Sequence, residues 1–280
     1  MSKSLMILGT SSGAGKSTIA TGLCRIFTQD GYDTAPFKAQ NMSNNFHRLP
    51  DGRQMAKSQA IAAFACKLDP DPDMNPILLK FSAGSLEVII RGESAGQMSS
   101  SQYNDYRSRV WAHILEAYQN IAKACEIVVL EGAGSPVEMN LKDQDVVNLN
   151  MAKRVMAPAL LVADIDRGGA FAAVYGTLML LDEDERSLIK GIIINRIRGQ
   201  KESFSKISDK MEKITGLPVV GMVHYLDLKL EDEDSLIDSA TGLKKPQSRA
   251  EMELEFEHLA TQLRSQLDLA TIYQIMEAGV

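Results

Sequence analysis

Between an apolar run and a helical pattern stands Gly9-Thr10-Ser11-Ser12-Gly13-Ala14-Gly15-Lys16-Ser17-Thr18. Glycines at this density let the backbone curl, so that successive N–H groups face the oxygens of an anion. A helix that starts near Lys16 adds the positive end of its dipole. Thr10, Ser12, Gly13, Ala14, Gly15 and Thr18 are therefore candidate nucleotide-binding positions. Lys16 is placed to reach the β- and γ-phosphates of ATP, and the Ser17 hydroxyl to ligate Mg²⁺. The strict spacing G-x-x-x-x-G-K-[ST] would put its first glycine at Thr10, so Gly9 makes this loop one residue longer. Glu131 closes another apolar run and is the second metal candidate, because a carboxylate at a strand end holds Mg²⁺ directly or through water; a solvated strand-end acid is the alternative. Gly132 and Gly134 follow it and leave backbone room for phosphate or substrate. Asn195, at a later strand end, suits the adenine edge, since its amide both donates and accepts, or else an Asx-type turn.

These residues need a scaffold that gathers strand ends. Short apolar runs, Leu5–Leu8, Thr34–Lys38, Glu87–Arg91, Glu126–Leu130, Ala159–Ala163, Gly191–Ile194 and Val219–Val223, read as strands. Helical patterns separate many of them: Ser17–Gln29, Arg53–Leu68, Tyr103–Lys123, a segment ending at Leu181, and Phe204–Ile214. Continuous apolar strands alternating with helices predict an α/β fold, a mostly parallel P-loop-type sheet with helices on both faces. Functional residues then collect at the carboxyl ends of the strands. After Tyr225 come an acid run, Glu231-Asp232-Glu233-Asp234, a linker over Gly242–Arg249 and an amphipathic helix over Met252–Leu267. The expected division is a P-loop α/β domain over 1–240 and a linker with a C-terminal helical tail over 241–280.

Composition narrows the function. The 280 residues are 45% hydrophobic and 24% charged, ordinary for a globular chain with a large core. A net charge of −6 and 6% aromatics argue against nucleic acid as a partner. No apolar stretch is long enough for a membrane span and none resembles a signal peptide, so a soluble, cytoplasmic protein is expected. Cys24, Cys66 and Cys125 are too few and too scattered for a disulfide framework; buried apolar cysteine is expected of each. The four histidines lack metal-ligand spacing; His224, ending the last strand, is the one with a place near the site.

Several longer segments stand in order with these motifs: Ala35-Pro36-Phe37-Lys38-Ala39-Gln40-Asn41-Met42, Asp73-Met74-Asn75-Pro76-Ile77-Leu78-Leu79-Lys80, Glu131-Gly132-Ala133-Gly134-Ser135-Pro136, Ala163-Asp164-Ile165-Asp166-Arg167-Gly168-Gly169, Ile194-Asn195-Arg196 and Glu233-Asp234-Ser235. Together they resemble the synthetase domain of the cobyric acid synthase family, over residues 1 to about 240. More distantly the chain is similar to dethiobiotin synthetase, through the longer phosphate loop and the Glu-Gly-Ala-Gly strand end. The resemblance implies ATP-dependent amidation of corrinoid carboxylates through an acyl phosphate, a homodimer, and catalytic roles for Lys16, Lys38 and Glu131. Lys38 would meet the substrate carboxylate or the acyl phosphate. Asn41, Lys80, Asp164, Asp166 and Arg167 are lesser substrate candidates, with a salt bridge among Asp166, Arg167 and their neighbours as the alternative. Two departures stand out. Where the family reads Asp-Gly-Gly-Glu-Ile-Gly-Arg-Ala-Gln, this chain has Asp51-Gly52-Arg53-Gln54-Met55-Ala56-Lys57-Ser58-Gln59, so a charged Glu is replaced by Gln54. The family's glutaminase signature is also absent from the 280 residues, and none of the cysteines sits in a nucleophile elbow. Ammonia is then expected from a separate glutaminase subunit, from free ammonium, or from a domain outside this sequence. Two other readings remain: a dethiobiotin-synthetase-like ligase acting on another carboxylate or carbamate, and a dimeric partitioning-type switch ATPase.

Overall fold

In the computed structural model, residues 2–82, 84–140, 142, 145–199, 205–228 and 248–280 are described. Along the chain these form β1 (Lys3–Gly9), α1 (Lys16–Gln29), β2 (Thr34–Phe37), β3 (Gln40–Met42), β4 (Phe46–Arg48), β5 (Gln54–Ala56), α2 (Lys57–Ala65), β6 (Ile77–Ser82), β7 (Ser85–Ile90), β8 (Glu93–Met98) and α3 (Ser100–Ala124). There follow β9 (Ile127–Glu131), α4 (Leu149–Arg154), β10 (Ala159–Asp164), α5 (Ala170–Leu180), α6 (Glu183–Ser187), β11 (Ile189–Ile197), α7 (Ser205–Thr215), β12 (Val219–His224), α8 (Arg249–Arg264) and α9 (Leu269–Ala278).

Six strands make the central sheet, in the order β12-β11-β10-β1-β9-β2 and with every neighbouring pair parallel. Leu5, Met6, Ile7 and Leu8 of β1 have no exposed surface, because both faces of the sheet are covered. Successive side chains alternate between the faces. Leu5 and Ile7 pack with Ile19, Leu23 and Phe27 of α1 and with Phe256, Leu259 and Leu263 of α8. Met6 and Leu8 share the opposite core with Ile114 of α3, Met151 of α4 and Val174 of α5. The expected α/β sheet, helices on both faces and helical tail are therefore present. Among the described residues, no helix is long and apolar enough to cross a membrane.

Two elements differ from the sequence reading. The expected single strand at Glu87–Arg91 belongs to a second, four-stranded sheet, ordered β3-β6-β7-β8. Its β6–β7 and β7–β8 pairs are antiparallel and its β3–β6 pair parallel. The edge strand β8, Glu-Ser-Ala-Gly-Gln-Met, is mostly exposed and carries no apolar run, so it gave no signal. The helix expected over Arg53–Leu68 starts at Lys57. Its first residues form β5, which pairs Ala56, Met55 and Gln54 with Phe46, His47 and Arg48 across a turn at Gly52, where φ is +92°. The acid run at 231–234, most of the linker and Glu233-Asp234-Ser235 lie outside the described residues.

The tail is two helices rather than one. Asp268 caps the second by accepting from the Thr271 amide at 3.0 Å. The first lies along α1, and Arg25, 1% exposed, joins the two: its Nε donates to Glu257 at 3.0 Å, its Nη2 to Glu253, and its Nη1 to the Ala65 carbonyl at 3.2 Å. An ideal Cβ on Gly22 would lie 2.1 Å from Leu263 Cδ1, so the helices meet at a glycine with no room to spare. Truncating Leu263 to Ala should leave a cavity there and lower unfolding free energy by about 2–5 kcal/mol, read as a fall in the urea midpoint at unchanged m-value.

Candidate functional site

The loop of residues 10–15 leaves β1 and turns directly into α1. Gly13 and Gly15 have φ of +70° and +96°, in the left-handed region open to glycine. At Gly15 space is also lacking: an ideal Cβ would stand 2.1 Å from Nδ2 of Asn195. That same Nδ2 donates to the Ala14 carbonyl at 2.9 Å, from a side chain that is 4% exposed. Asn195, at the end of β11, thus anchors the loop from one side, with its amide N–H turned to the Ala14 backbone. From the other side Lys16, 6% exposed, donates to the carbonyls of Ser11 at 3.0 Å and Gly134 at 3.1 Å. The lysine bridges the loop to the turn that follows β9. No residue of the first turn of α1 is itself acidic.

Beside the helix start lies a buried charge pair. β2 and β9 run parallel with Phe37 opposite Leu130, which sets the next residues, Lys38 and Glu131, side by side. Their side chains are 2% and 3% exposed, and Lys38 Nζ lies 2.9 Å from Glu131 Oε1. The same oxygen accepts from Ser17 Oγ at 2.7 Å, and Oε2 accepts from Gln59 Nε2 of α2 at 3.0 Å. A carboxylate out of water is stable only when its oxygens are satisfied in this way. Ser17 and Glu131 offer two hard oxygen donors in contact. Among the described residues, no group of three or more His, Cys, Asp or Glu side chains is placed to hold a metal by itself. A cation with two protein oxygens and the rest of its shell from phosphate and water is what Mg²⁺ prefers, so the donors fit it.

Beyond this pair opens a cleft of about 340 Å³. Ser12, Gly15, Lys16, Ser17, Lys38, Asn41, Glu131 and Gly134 line it, so the fold collects eight of the residues that the sequence singled out. Glu138, Lys142, Asp145 and Asn148 complete the far wall. The family model for the CobQ/CobB/MinD/ParA nucleotide binding domain matches residues 5–236. The chain belongs to this family. Cobyric acid synthases from Salmonella agona (strain SL483) and Salmonella typhimurium (strain LT2) are each 48% identical to it over 237 residues, which is 84% of this chain and 47% of theirs. The chain thus spans about half the length of the curated relatives it matches.

Within this nucleotide-binding domain, several predicted residues stand apart from the cleft. Lys80 lies in the four-stranded sheet, paired with Glu87 at 2.8 Å, donating to Gln54 at 3.2 Å and sitting 4.4 Å above the Phe46 ring. Gln54, the departure from the family pattern, is therefore engaged with a lysine. Asp166 pairs with Arg198 at 2.7 Å, Asp164 with Arg196 at 2.9 Å, and Arg167 stays exposed, 3.8 Å from Asp164. These ion pairs order the loop after β10, and the cleft wall includes none of them. Gly132 has a packing role: an ideal Cβ would meet Asn148 Oδ1 at 2.3 Å. Asn148 clasps both the N–H and the carbonyl of Ala133, at 3.0 and 2.9 Å. His224 is absent from the cleft wall; its backbone N–H donates to Gln266.

The sequence reading missed Gln59, Asp145 and Asn148. Asp145 accepts backbone N–H groups from Val147, Asn148 and Asn150, yet burial still pushes its carboxyl above the usual carboxylate range. Asp145 and Asn148 precede a helix in an Asx-type spacing that a closer reading of the sequence would have caught. Gln59 gave no such sign, since its partner is 72 residues away.

Gly15→Ala should weaken nucleotide binding by about tenfold or more, through left-handed strain and the clash with Asn195, with the circular dichroism spectrum unchanged. Calorimetric titration checks this. Lys38→Met strands Glu131 as a buried charge and should cost about 3–5 kcal/mol of stability. The double substitution Lys38→Met with Glu131→Gln should recover most of that, a coupling that a denaturant-based double-mutant cycle measures.

Proposed function

We propose that this domain is the ATP-dependent, amide-forming module of a cobyric acid synthase-like ligase, acting on peripheral carboxylates of a corrinoid in cobalamin biosynthesis. The observation that carries the reading is the convergence of Lys16, Ser17, Lys38 and Glu131 at one wall of a cleft that continues past the phosphate loop. An activating enzyme needs both halves: donors for the triphosphate and an open, cation-lined space next to the γ-phosphate. The 48% identity to cobyric acid synthases supports the choice of substrate class.

Chemically, a carboxylate resists attack because its leaving group would be oxide. Its oxygen therefore attacks the γ-phosphorus of ATP, the bond from phosphorus to the β–γ bridging oxygen breaks, and ADP leaves. Ammonia then attacks the acyl carbon, the C–N bond forms, phosphate departs with the C–O bond, and the surplus proton passes to solvent. The protein's task is positioning and charge neutralisation. Lys16 and the loop amides hold the β- and γ-phosphates. Ser17 and Glu131 would hold Mg²⁺, which neutralises phosphate charge when bound. Lys38, beside Glu131 at the cleft wall, would neutralise the acceptor carboxylate. Asn41 and Gly134 line the cleft and would contact the acceptor.

The ammonia would be made elsewhere. Cys24 and Cys66 are buried free thiols, and burial holds Cys24 well above the usual thiol range. Burial likewise pushes Cys125 up to about 11. Cys24 and Cys125 so protonated are poor nucleophiles and Cys66 is buried, so none is suited to hydrolyse glutamine.

Incubation of the purified chain with Mg·ATP, adenosylcobyrinic acid a,c-diamide and ammonium should yield amidated corrinoid by mass spectrometry. Glutamine in place of ammonium should yield none, and Lys16→Ala should lower the rate on the order of 100-fold or more. No amide from either donor, with ATP binding intact, would overturn the substrate assignment.

A further inference from the structure

Gln59 stands against Glu131 and lies outside the phosphate loop motif. It lies in the first turn of α2 and is 1% exposed. Its Nε2 donates to Glu131 Oε2 at 3.0 Å. A carboxylate only accepts, so this contact fixes which end of the amide faces Glu131. The other end, Oε1, is buried and has no hydrogen-bond partner among the described residues. Buried amide oxygens are nearly always paired, because an unpaired one loses its hydration without return. One in direct contact with a candidate metal ligand therefore points to a donor that arrives with a ligand.

Geometry identifies that donor. The two polar atoms of an amide are about 2.3 Å apart, so Gln59 Oε1 lies within roughly 5 Å of Glu131 Oε2. A water on a cation held by Glu131 would donate over about 2.8 Å, within reach of Gln59 Oε1. Such a water is a strong donor and has no use for an N–H, which matches the acceptor that Gln59 leaves over. The neighbouring Ser17 Oγ and Lys38 Nζ both donate to Glu131 Oε1, the other oxygen of the carboxylate.

We infer that Gln59 is a positioning residue of the divalent-cation site, bracing Glu131 with its amide N–H and accepting from a cation-bound water with its carbonyl oxygen. This rests on the reading of Ser17 and Glu131 as the cation ligands. A neutral amide does both tasks, whereas a second carboxylate would set two like charges against each other. Outer partners of this kind commonly set metal affinity, because they orient the direct ligand.

The test uses the whole chain with a non-hydrolysable ATP analogue, adenylyl imidodiphosphate, and Mn²⁺ as a paramagnetic substitute for Mg²⁺. Mn²⁺ affinity is read from the spectrum of the free ion. Gln59→Met should bind Mn²⁺ about tenfold more weakly, with metal-free binding of the analogue unchanged. Gln59→Glu loses the N–H brace but keeps an acceptor oxygen and adds a charge that the bound cation offsets, so it should bind Mn²⁺ within about threefold of the parent chain or more tightly. Parent-like Mn²⁺ affinity in Gln59→Met would overturn the inference, as would an equal loss in both variants, which a purely structural brace would give. If Gln59→Met fails to fold, Gln59→Glu decides alone: retained affinity supports the inference and a tenfold loss overturns it. Absence of nucleotide-dependent Mn²⁺ binding in the parent chain would instead remove the cation site on which the inference stands.

Discussion

The buried contact between Lys38 and Glu131 constrains the rest of the site. Two opposite charges 2.9 Å apart with almost no exposure survive only if each remaining polar atom finds a partner. That requirement draws in Ser17 from the start of α1 and Gln59 from the start of α2. It also requires β2 and β9 to be neighbours in one register, since a slip of one residue would turn a side chain to the opposite face. Segments more than a hundred residues apart in the chain are held to one geometry by a single carboxylate.

The phosphate loop depends on a second set of restraints that meets the first at Lys16. Asn195 fills the space that a side chain at position 15 would need, and holds Ala14 from the β11 side. Lys16 ties the loop to Gly134, three residues beyond Glu131. The helix that carries Lys16 and Ser17 is braced in turn by the tail, through Arg25 with Glu253 and Glu257 and through Leu263 against Gly22. Packing of the C-terminal helices is therefore mechanically continuous with the residues that face a nucleotide. The loop's shape is a property of the whole layer on that side of the sheet.

Where the sequence reading succeeded, the signal was local. The run from Gly9 to Thr18 carries its own geometry, because glycine spacing, a lysine and a following helix are contiguous. Glu131 and Lys38 were legible because parallel strands put chemistry at their carboxyl ends. Lys80 shows the opposite case: its motif was legible, but its ammonium is engaged by Glu87, Gln54 and the Phe46 ring in a second sheet whose edge strand has no apolar pattern. Asp166 and Arg167 likewise sit in a loop ordered by ion pairs to residues on β11 and just beyond it.

What the sequence determined by itself was the type of scaffold and the place of a glycine-rich, anion-facing loop on it. Apolar runs with a period of strands and helices dictate a covered parallel sheet, and a glycine-rich loop before a lysine dictates an anion site at its edge. The tertiary structure alone decided which polar side chains share that edge. Strand order sets which carboxyl ends are adjacent, and no local pattern encodes that β9 lies between β1 and β2. Hence Gln59, 72 residues from the carboxylate it holds, became visible only once burial and hydrogen bonding could be counted atom by atom.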